Sequence, residues 1–364
     1  MTQFICGDML VKIVIIFGHQ KMTNGPTTSA IVRRMREFKA ALLAREAAQI
    51  GEMTTAWLKV ERAVTGSIND LVSVIDALIK AGEMPSRGQL LRLKQLWDLL
   101  EQIRIASNVF AVDFLTPFIT AGQAESVNLG IAHAIEIIQL AFTSEAQFAA
   151  VFNRLNVAAV EYMIGLTGAG QPLWELIKRR VITGPDVIQR VIDTLIEGIA
   201  RGYNPRKIAR MIANDLAGGL NKALQIARTE QLRVYRESSL LQYLESGVVR
   251  EYKRLSARDK RVCPACLMAD GKVYKIEVPF AEHPQGRCVP VPVVIGVSEP
   301  MWETGMDWFK RQDPQIQVLI LGPGRYEAWV AGFYELEDLI TETTHEIWGD
   351  ALIPTPLNEL IRMG

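Results

Sequence analysis

Residues 220–255 read LNKALQIARTEQLRVYRESSLLQYLESGVVREYKRL, and this stretch contains the change from helix to strand that decides the fold. As far as Glu245 it consists mostly of strong helix formers and contains no proline. Gly247 suits the left-handed position that closes many helices. Residues 248–255 then partly alternate between apolar and polar side chains, which is the pattern of a strand. The stretch therefore predicts a long helix that leads directly into a sheet.

Upstream of this stretch the chain reads as almost continuously helical, from residue 27 onward. The breaks fall where helix-stopping residues occur, at residues 84–86 (MPS) and 167–172 (TGAGQP). Residues 202–205 (GYNP) supply a stop, an N-cap asparagine and a proline for the first helical position. The pattern predicts a helical body, with the helix over residues 220–245 separate from the one that begins at Pro205.

The region after Gly247 predicts a small sheet. Residues 248–255, 272–276 and 288–295 each read as a short strand, and the two prolines of the third restrict it to an edge or to irregular structure. Four further helices are predicted over residues 304–312, 314–321, 326–331 and 336–346. The predicted fold class is α+β: a largely helical body, a small α+β module and a short helical C-terminal tail.

These changes divide the chain into four regions. They are an uncertain N-terminal extension (1–26), a helical domain (27–182), an α+β module (183–298) and an acidic, tryptophan-rich C-terminal subdomain (299–364). The last region has four basic and twelve acidic residues, a net charge of −8, while the whole chain is neutral. This asymmetry indicates either two differently solvated surfaces or a surface that binds a partner. Four of the seven tryptophans lie in the last region and are expected to fill its core.

The composition is that of a globular protein, with 364 residues, 49% hydrophobic and 22% charged. Residues 10–18 (LVKIVIIFG) are apolar but too short to span a bilayer, and they lack the basic start and cleavage site of a signal peptide. This segment is either a buried strand or an addition from an upstream start codon, and we favour the second, with Met22 as the natural start. No other segment reads as membrane-spanning, so we expect no membrane contact.

The chemistry-bearing residues are Cys263, Cys266, His283 and Cys288, arranged as CPAC (263–266) and HPQGRC (283–288). A Cys-x2-Cys pair places two thiolates at one tight turn, and two further ligands complete the tetrahedron that Zn²⁺ prefers. Four protein ligands leave no open position, so such a zinc site is structural. The alternatives are buried reduced cysteines, with His283 hydrogen-bonded in a loop, or a labile disulfide.

The surroundings of this cluster carry further indications. Lys260 and Arg261 precede Cys263 and would favour thiolate over thiol. The fourth cysteine, Cys6, stands alone, so a disulfide scaffold is not expected and a reducing compartment is. No nucleophile elbow and no phosphate-binding glycine loop occurs in the sequence, and we predict no enzymatic activity.

Residues 222–261 are basic, with ten Lys/Arg against five Asp/Glu. Such clusters can contact nucleic-acid phosphates, and the candidates for this role are Arg254, Arg258, Lys260 and Arg261. The other interpretation is a solvated helix face with ion pairs such as Arg233 with Glu237, one helical turn apart. We favour the ion pairs.

The motifs around the cluster resemble one known family. In order they are ARTE (227–230) on a helix, KRL (253–255) ending a strand, DKRVCPAC (259–266), DGKVY (270–274) and HPQGRC (283–288). Together they resemble the phage Mu F-like minor head proteins, also called phage head morphogenesis proteins. The resemblance implies a framework role for five residues: Arg228, Glu230, Asp259, Gly271 and Arg287. Many relatives have a further cysteine where this chain has Gly286, so a scheme that needs both cysteines fails here.

The resemblance implies a minor capsid protein of a tailed bacteriophage, present in few copies and associated with the portal during head assembly. It also implies an effect on DNA packaging or ejection. The expected partners are the portal protein, a scaffold or major capsid protein, and phage DNA. The expected location is the virion, at the capsid interior or portal vertex, after assembly in the host cytoplasm. The alternative is a zinc-stabilised DNA-binding module that acts in packaging or delivery of the genome.

Overall fold

A computed structural model of the chain describes residues 26–182, 185–258 and 262–363. The segment 10–18, Cys6, and the stretch from Asp259 to Arg261 lie outside the described residues. The described part is mostly helical with two small antiparallel sheets, which confirms the predicted α+β class.

The helices follow one another along the chain. They are α1 (Pro26–Lys80), α2 (Arg87–Leu90), α3 (Lys94–Val109), α4 (Thr116–Gln139), α5 (Glu145–Val151), α6 (Leu173–Ile177), α7 (Pro185–Ala200), α8 (Pro205–Glu245), α9 (Pro264–Met268), α10 (Gly305–Lys310), α11 (Pro314–Leu321), α12 (Pro323–Val330) and α13 (Leu357–Met363). The strands are β1 (Val249–Leu255), β2 (Val273–Lys275), β3 (Val289–Val294), β4 (Ile340–His345) and β5 (Gly349–Pro354). A π-helical segment, Phe110–Leu115, joins α3 to α4.

Helix α8 runs unbroken for 41 residues, so the prediction of two separate helices here was wrong. Its start was predicted correctly, since the side chain of Asn204 caps the helix and Pro205 occupies its first turn. The glycine pair at 218–219 does not break the helix because it serves packing. A Cβ on Gly219 would lie 2.5 Å from Cη2 of Trp57, so glycine lets α1 approach α8 closely.

The helical body packs around α8. Helices α1, α3, α7 and α8 share one apolar core, in which Val191, Leu195 and Ile199 of α7 are buried. On another side α4 lies against α8, where a Cβ on Gly122 would overlap the side chain of Gln231. Helix α8 therefore contacts most of the helical body before it enters the sheet.

The first sheet has the order β2-β1-β3 and is antiparallel throughout. The prolines of β3 lie on an edge strand, as predicted, and Pro292 pairs with Tyr252 of the central strand β1. Gly247 and Gly271 adopt left-handed φ values of 70° and 87°, which turn the chain into β1 and β2. Helix α9 and the loop between β2 and β3 carry the residues of the candidate site.

The C-terminal region contains three of the four predicted helices, as α10, α11 and α12. The fourth prediction, a helix over 336–346, was wrong: a 3₁₀ turn (Leu336–Leu339) is followed by the hairpin of β4 and β5. The segment ITETTH of β4 is rich in β-branched residues, which favour strands. At the hairpin turn, Ile347 and Trp348 pack into the core that α1, α4, α6 and α8 share. The C-terminal region is therefore joined to the helical body.

Among the described residues one continuous helical stretch, Lys94–Gln139, is long and apolar enough to cross a membrane by length and composition. This stretch comprises α3, the π-helical segment and α4, and 39% of its most apolar window is buried inside the protein. Core helices of soluble proteins pass the same test, so the finding is weak.

Candidate metal centre

Two chain segments bring the predicted ligands together. Cys263 is the N-cap residue of α9 and Cys266 lies within that helix, which packs against β4 and β5. His283 and Cys288 lie on the loop that returns from β2 to β3. Cys266 and Cys288 are buried, while Cys263 is partly exposed, and all three are free thiols.

The ligand atoms form two groups that share Cys266. The atoms of Cys263, Cys266 and His283 lie within 4.8 Å of one another, and so do those of Cys266, Glu282 and Cys288. The four residues predicted from their spacing therefore converge, together with Glu282. This cluster could bind a metal ion.

The imidazole of His283 has the geometry of a ligand. Its Nδ1 lies 2.9 Å from the carbonyl oxygen of Pro284, and because a carbonyl only accepts, Nδ1 carries the proton. The lone pair is then on Nε2, which is buried and has no hydrogen-bond partner. Metal-binding histidines are typically held in this way through the other ring nitrogen. The residues present therefore fit a bound metal, and an unpartnered buried nitrogen is otherwise costly.

Glu282 is the residue that the sequence reasoning missed. Its side chain is 2% exposed, and its Oε2 accepts a bond of 2.9 Å from Arg254 Nη2. The thiol of Cys266 donates to Oε1 over 3.1 Å. Burial alone would raise the pKa of Glu282, but the guanidinium groups of Arg254 and Arg236 outweigh it and lower the pKa to about 2. Glu282 is therefore a buried carboxylate ion among the cysteines.

The three cysteines of the cluster differ in the pKa of their thiols. The hydrogen bond with Cys266 lowers the pKa of the Cys263 thiol, whereas the bond with Cys263 and burial raise the pKa of Cys266. The bond with Cys266 and burial likewise raise the pKa of Cys288. Without a metal the two buried cysteines are therefore thiols, and a cysteine that binds the metal must release its proton.

The loop that carries His283 and Cys288 is fastened to α8. Arg228, a predicted framework residue, donates to the side chain of Gln285 over 2.6 Å and pairs with Glu46 of α1. Gln285 has a left-handed φ of 66°, which is uncommon for a residue other than glycine. Its backbone N–H donates to the hydroxyl of Thr229. The helix thus holds the loop in a conformation that it would not adopt alone.

The other framework residues occupy distinct positions. Glu230 is fully buried and pairs with Arg233 at 2.9 Å, and Arg233 also donates to the Leu166 carbonyl, so this network joins α8 to the loop before α6. Burial raises the pKa of Glu230 against the effect of Arg233. Gly271 forms the turn before β2, and Arg287 directly precedes Cys288 and is half-buried. Asp259 lies outside the described residues.

Of the four candidates for nucleic-acid contact, the structure describes Arg254 and Arg258. Arg254 is 1% exposed and donates to the Ala281 carbonyl and to Glu282, so it is not placed to contact phosphate and does not fit the nucleic-acid interpretation. Arg258 pairs with Asp270 at 2.8 Å. Lys260 and Arg261 lie outside the described residues. The predicted pair of Arg233 with Glu237 is present at 2.6 Å, which supports the ion-pair interpretation for this part of the cluster.

The comparisons with known proteins give one match. The family model described as Phage Mu protein F like protein matches residues 189–290. No curated protein and no solved structure matches the chain. The matched segment runs from α7 into β3, and it includes α8, the candidate ligands and Glu282. Residues 189–290 of this chain are therefore similar to the phage Mu protein F like family.

Proposed function

We propose that the chain is a head morphogenesis protein of a tailed bacteriophage, a virion-associated protein that binds the portal during head assembly. The match of residues 189–290 to the phage Mu F-like family carries this proposal. The fold supports it, because motifs that resemble the family meet at one centre: Arg228 of α8 holds the loop that carries His283 and Cys288, and this loop lies beside the cysteines of α9.

The metal centre has a structural role in this proposal. Cys263, Cys266, His283 and Cys288 are the residues predicted to hold Zn²⁺, and a closed set of protein ligands leaves no position for catalysis. Among the described residues between β1 and β3, the regular elements are the short helix α9 and the three-residue strand β2. A segment with so little regular structure gains much of its stability from a bound metal.

The experiment that tests the assembly role is co-expression with the portal protein of the same phage, followed by affinity purification and nuclease treatment. We expect the chain to elute with the portal oligomer before and after nuclease, and its gene to lie beside terminase and portal genes. A folded chain that never elutes with the portal, from a gene without head genes around it, would overturn the proposal.

The DNA-binding alternative makes the opposite prediction for nuclease. If the chain binds the packaging machinery through phage DNA, its association is lost on nuclease treatment and weakens steeply with salt. The burial of Arg254 and the pairing of Arg258 with Asp270 reduce the basic surface available for such contacts in the described residues. We therefore place the assembly role first.

A further inference from the structure

The carboxylate of Glu282 lies at ligand distances from two predicted metal ligands. Its Oε1 is 3.1 Å from Sγ of Cys266 and 3.5 Å from Nε2 of His283. In a tetrahedral zinc site, Zn–S and Zn–O bond lengths place neighbouring S and O ligands roughly 3.5 Å apart, and neighbouring N and O ligands roughly 3.3 Å apart. Oε1 therefore already stands close to the position that an oxygen ligand would take beside these two atoms.

The second oxygen of Glu282 fixes this orientation. Oε2 accepts hydrogen bonds from Arg254 Nη2 at 2.9 Å and from the backbone N–H of Cys288 at 3.3 Å. Oε1 accepts a hydrogen bond from the thiol of Cys266, and that proton leaves when Cys266 binds a metal. A carboxylate held by one oxygen and free at the other is the arrangement of a monodentate metal ligand.

The backbone of the loop makes room for this carboxylate. A Cβ at Gly286 would overlap the carboxyl group of Glu282, so any other residue at 286 would push Glu282 away from the cluster. Arg236 donates to the carbonyl oxygen of Gly286 over 3.2 Å, which fixes the position of this backbone. Glycine at 286 and Glu282 are thus two parts of one arrangement.

Position gives a separate reason. The thiol of Cys288 lies within 4.8 Å of the ligand atoms of Cys266 and Glu282, but it does not belong to the group formed by Cys263, Cys266 and His283. Glu282 Oε1, by contrast, lies beside both Cys266 and His283.

We propose that Glu282 Oε1 is the fourth metal ligand, together with Cys263, Cys266 and His283, while Cys288 remains a buried thiol beside the centre. This inference rests on the proposed metal centre and changes its ligand set from three sulfurs and one nitrogen to two sulfurs, one nitrogen and one oxygen. Cys288 keeps a structural role, because its backbone N–H orients Glu282.

Zinc K-edge X-ray absorption on the full wild-type chain, purified under reducing conditions and loaded with one equivalent of Zn²⁺, tests this directly. We expect two sulfur atoms at about 2.3 Å from the zinc and two nitrogen or oxygen atoms at about 2.0 Å from it. A shell of three sulfurs and one N/O would overturn the assignment of Glu282 and leave the metal centre standing. Failure of the folded protein to retain the metal would overturn the centre itself and the ligand assignment with it.

Three variants add a second readout, zinc affinity measured by competition with a chromophoric chelator. We expect Glu282→Gln to weaken zinc binding by about 100-fold or more, beyond the usual 10–100-fold effect of an outer-shell partner. Cys288→Ser should change it less than about 10-fold. Glu277→Gln, an exposed residue of the same loop, is the matched control and should leave affinity unchanged. A larger loss in Cys288→Ser than in Glu282→Gln would overturn the proposal, and the wild-type spectrum decides the case if Glu282→Gln does not fold.

Discussion

At the residue scale, the centre depends on side chains whose roles are visible only through their neighbours. The cysteines and His283 could be found from their spacing, because a tight turn with two thiolates has few other uses. Glu282 could not, since a single glutamate before a histidine is unremarkable in sequence. Its role comes from the folding of the loop against Arg254 of β1, a contact between residues 28 positions apart.

Gly286→Ala tests the packing of this loop. The added Cβ would overlap the Glu282 carboxyl group, so we expect a loss of about 1–3 kcal/mol in the free energy of unfolding, measured by denaturant titration. Gly66→Ala, in an open, exposed position of α1, is the control and should be neutral or stabilising by up to about 1 kcal/mol. A Gly286→Ala protein as stable as the wild type would contradict the packing described for Glu282.

Cys263→Ser tests which elements the metal centre stabilises. We expect the variant to lose bound zinc and to show faster hydrogen exchange in α9 and the loop to β3, while exchange in α1 and α4 stays as in the wild type. Cys6→Ser, far from the cluster in sequence, is the control and should keep the wild-type zinc content. Equal exchange rates in both variants would mean that the metal does not hold this domain together.

At the scale of elements, the sequence predicted most helices, but it did not predict that α8 is continuous or that residues 340–354 form a hairpin. The helix that begins at Pro205 and the helix predicted over residues 220–245 are one, and Gly219 lies inside it because the close contact with Trp57 requires glycine there. The segment 336–346 has enough helix formers to resemble a helix, but its threonines pair in the β4–β5 hairpin. In both places a tertiary contact determines the secondary structure, and local propensity does not predict that contact.

The packing of α1 against α4 predicts a pH dependence. The ring of His133 stacks on Phe38 at 3.6 Å, and burial lowers its pKa to about 4. Between this value and the ordinary pKa of about 6.5, the unfolded chain binds more protons than the folded one. The contribution of neutral His133 to the free energy of unfolding is therefore present above pH 6.5 and is lost as the pH falls towards 4.

Urea titrations from pH 7 to pH 4 measure this effect. We expect the free energy of unfolding of the wild type to fall over this range, and His133→Gln, which cannot titrate, to show a smaller fall. An equal pH dependence in both proteins would mean that His133 is not buried as described.

At the scale of the whole molecule, the turn of the β4–β5 hairpin joins the C-terminal region to the helical body. Trp348 is buried there, and the backbone N–H of Ala169 donates to the carbonyl oxygen of Ile347 over 3.2 Å. The tryptophans of this region were predicted to fill its own core, and Trp308 and Trp329 do pack on that core. Trp348 belongs to a core that also contains Met53, which lies almost 300 positions earlier in the chain. The sequence alone could not show that these residues share a core.

Trp348→Ala tests this connection. Truncation of a buried tryptophan costs about 3–5 kcal/mol, so we expect a large drop in the midpoint of unfolding of the helical body, followed by circular dichroism. Trp97→Ala, at a position where the side chain is 57% exposed, is the control and should cost less than about 1 kcal/mol. A helical body whose midpoint is unchanged in Trp348→Ala would show that the C-terminal region is not part of its core.

The central claim is that the domain of residues 189–290 is organised around a bound metal ion. Elemental analysis of the full chain, purified under reducing conditions and paired with thermal unfolding before and after chelation, tests it most directly. We predict one zinc per chain and a lower unfolding temperature of this domain once the metal is removed. A protein with clearly substoichiometric zinc, fully folded and unaffected by chelator, would contradict it.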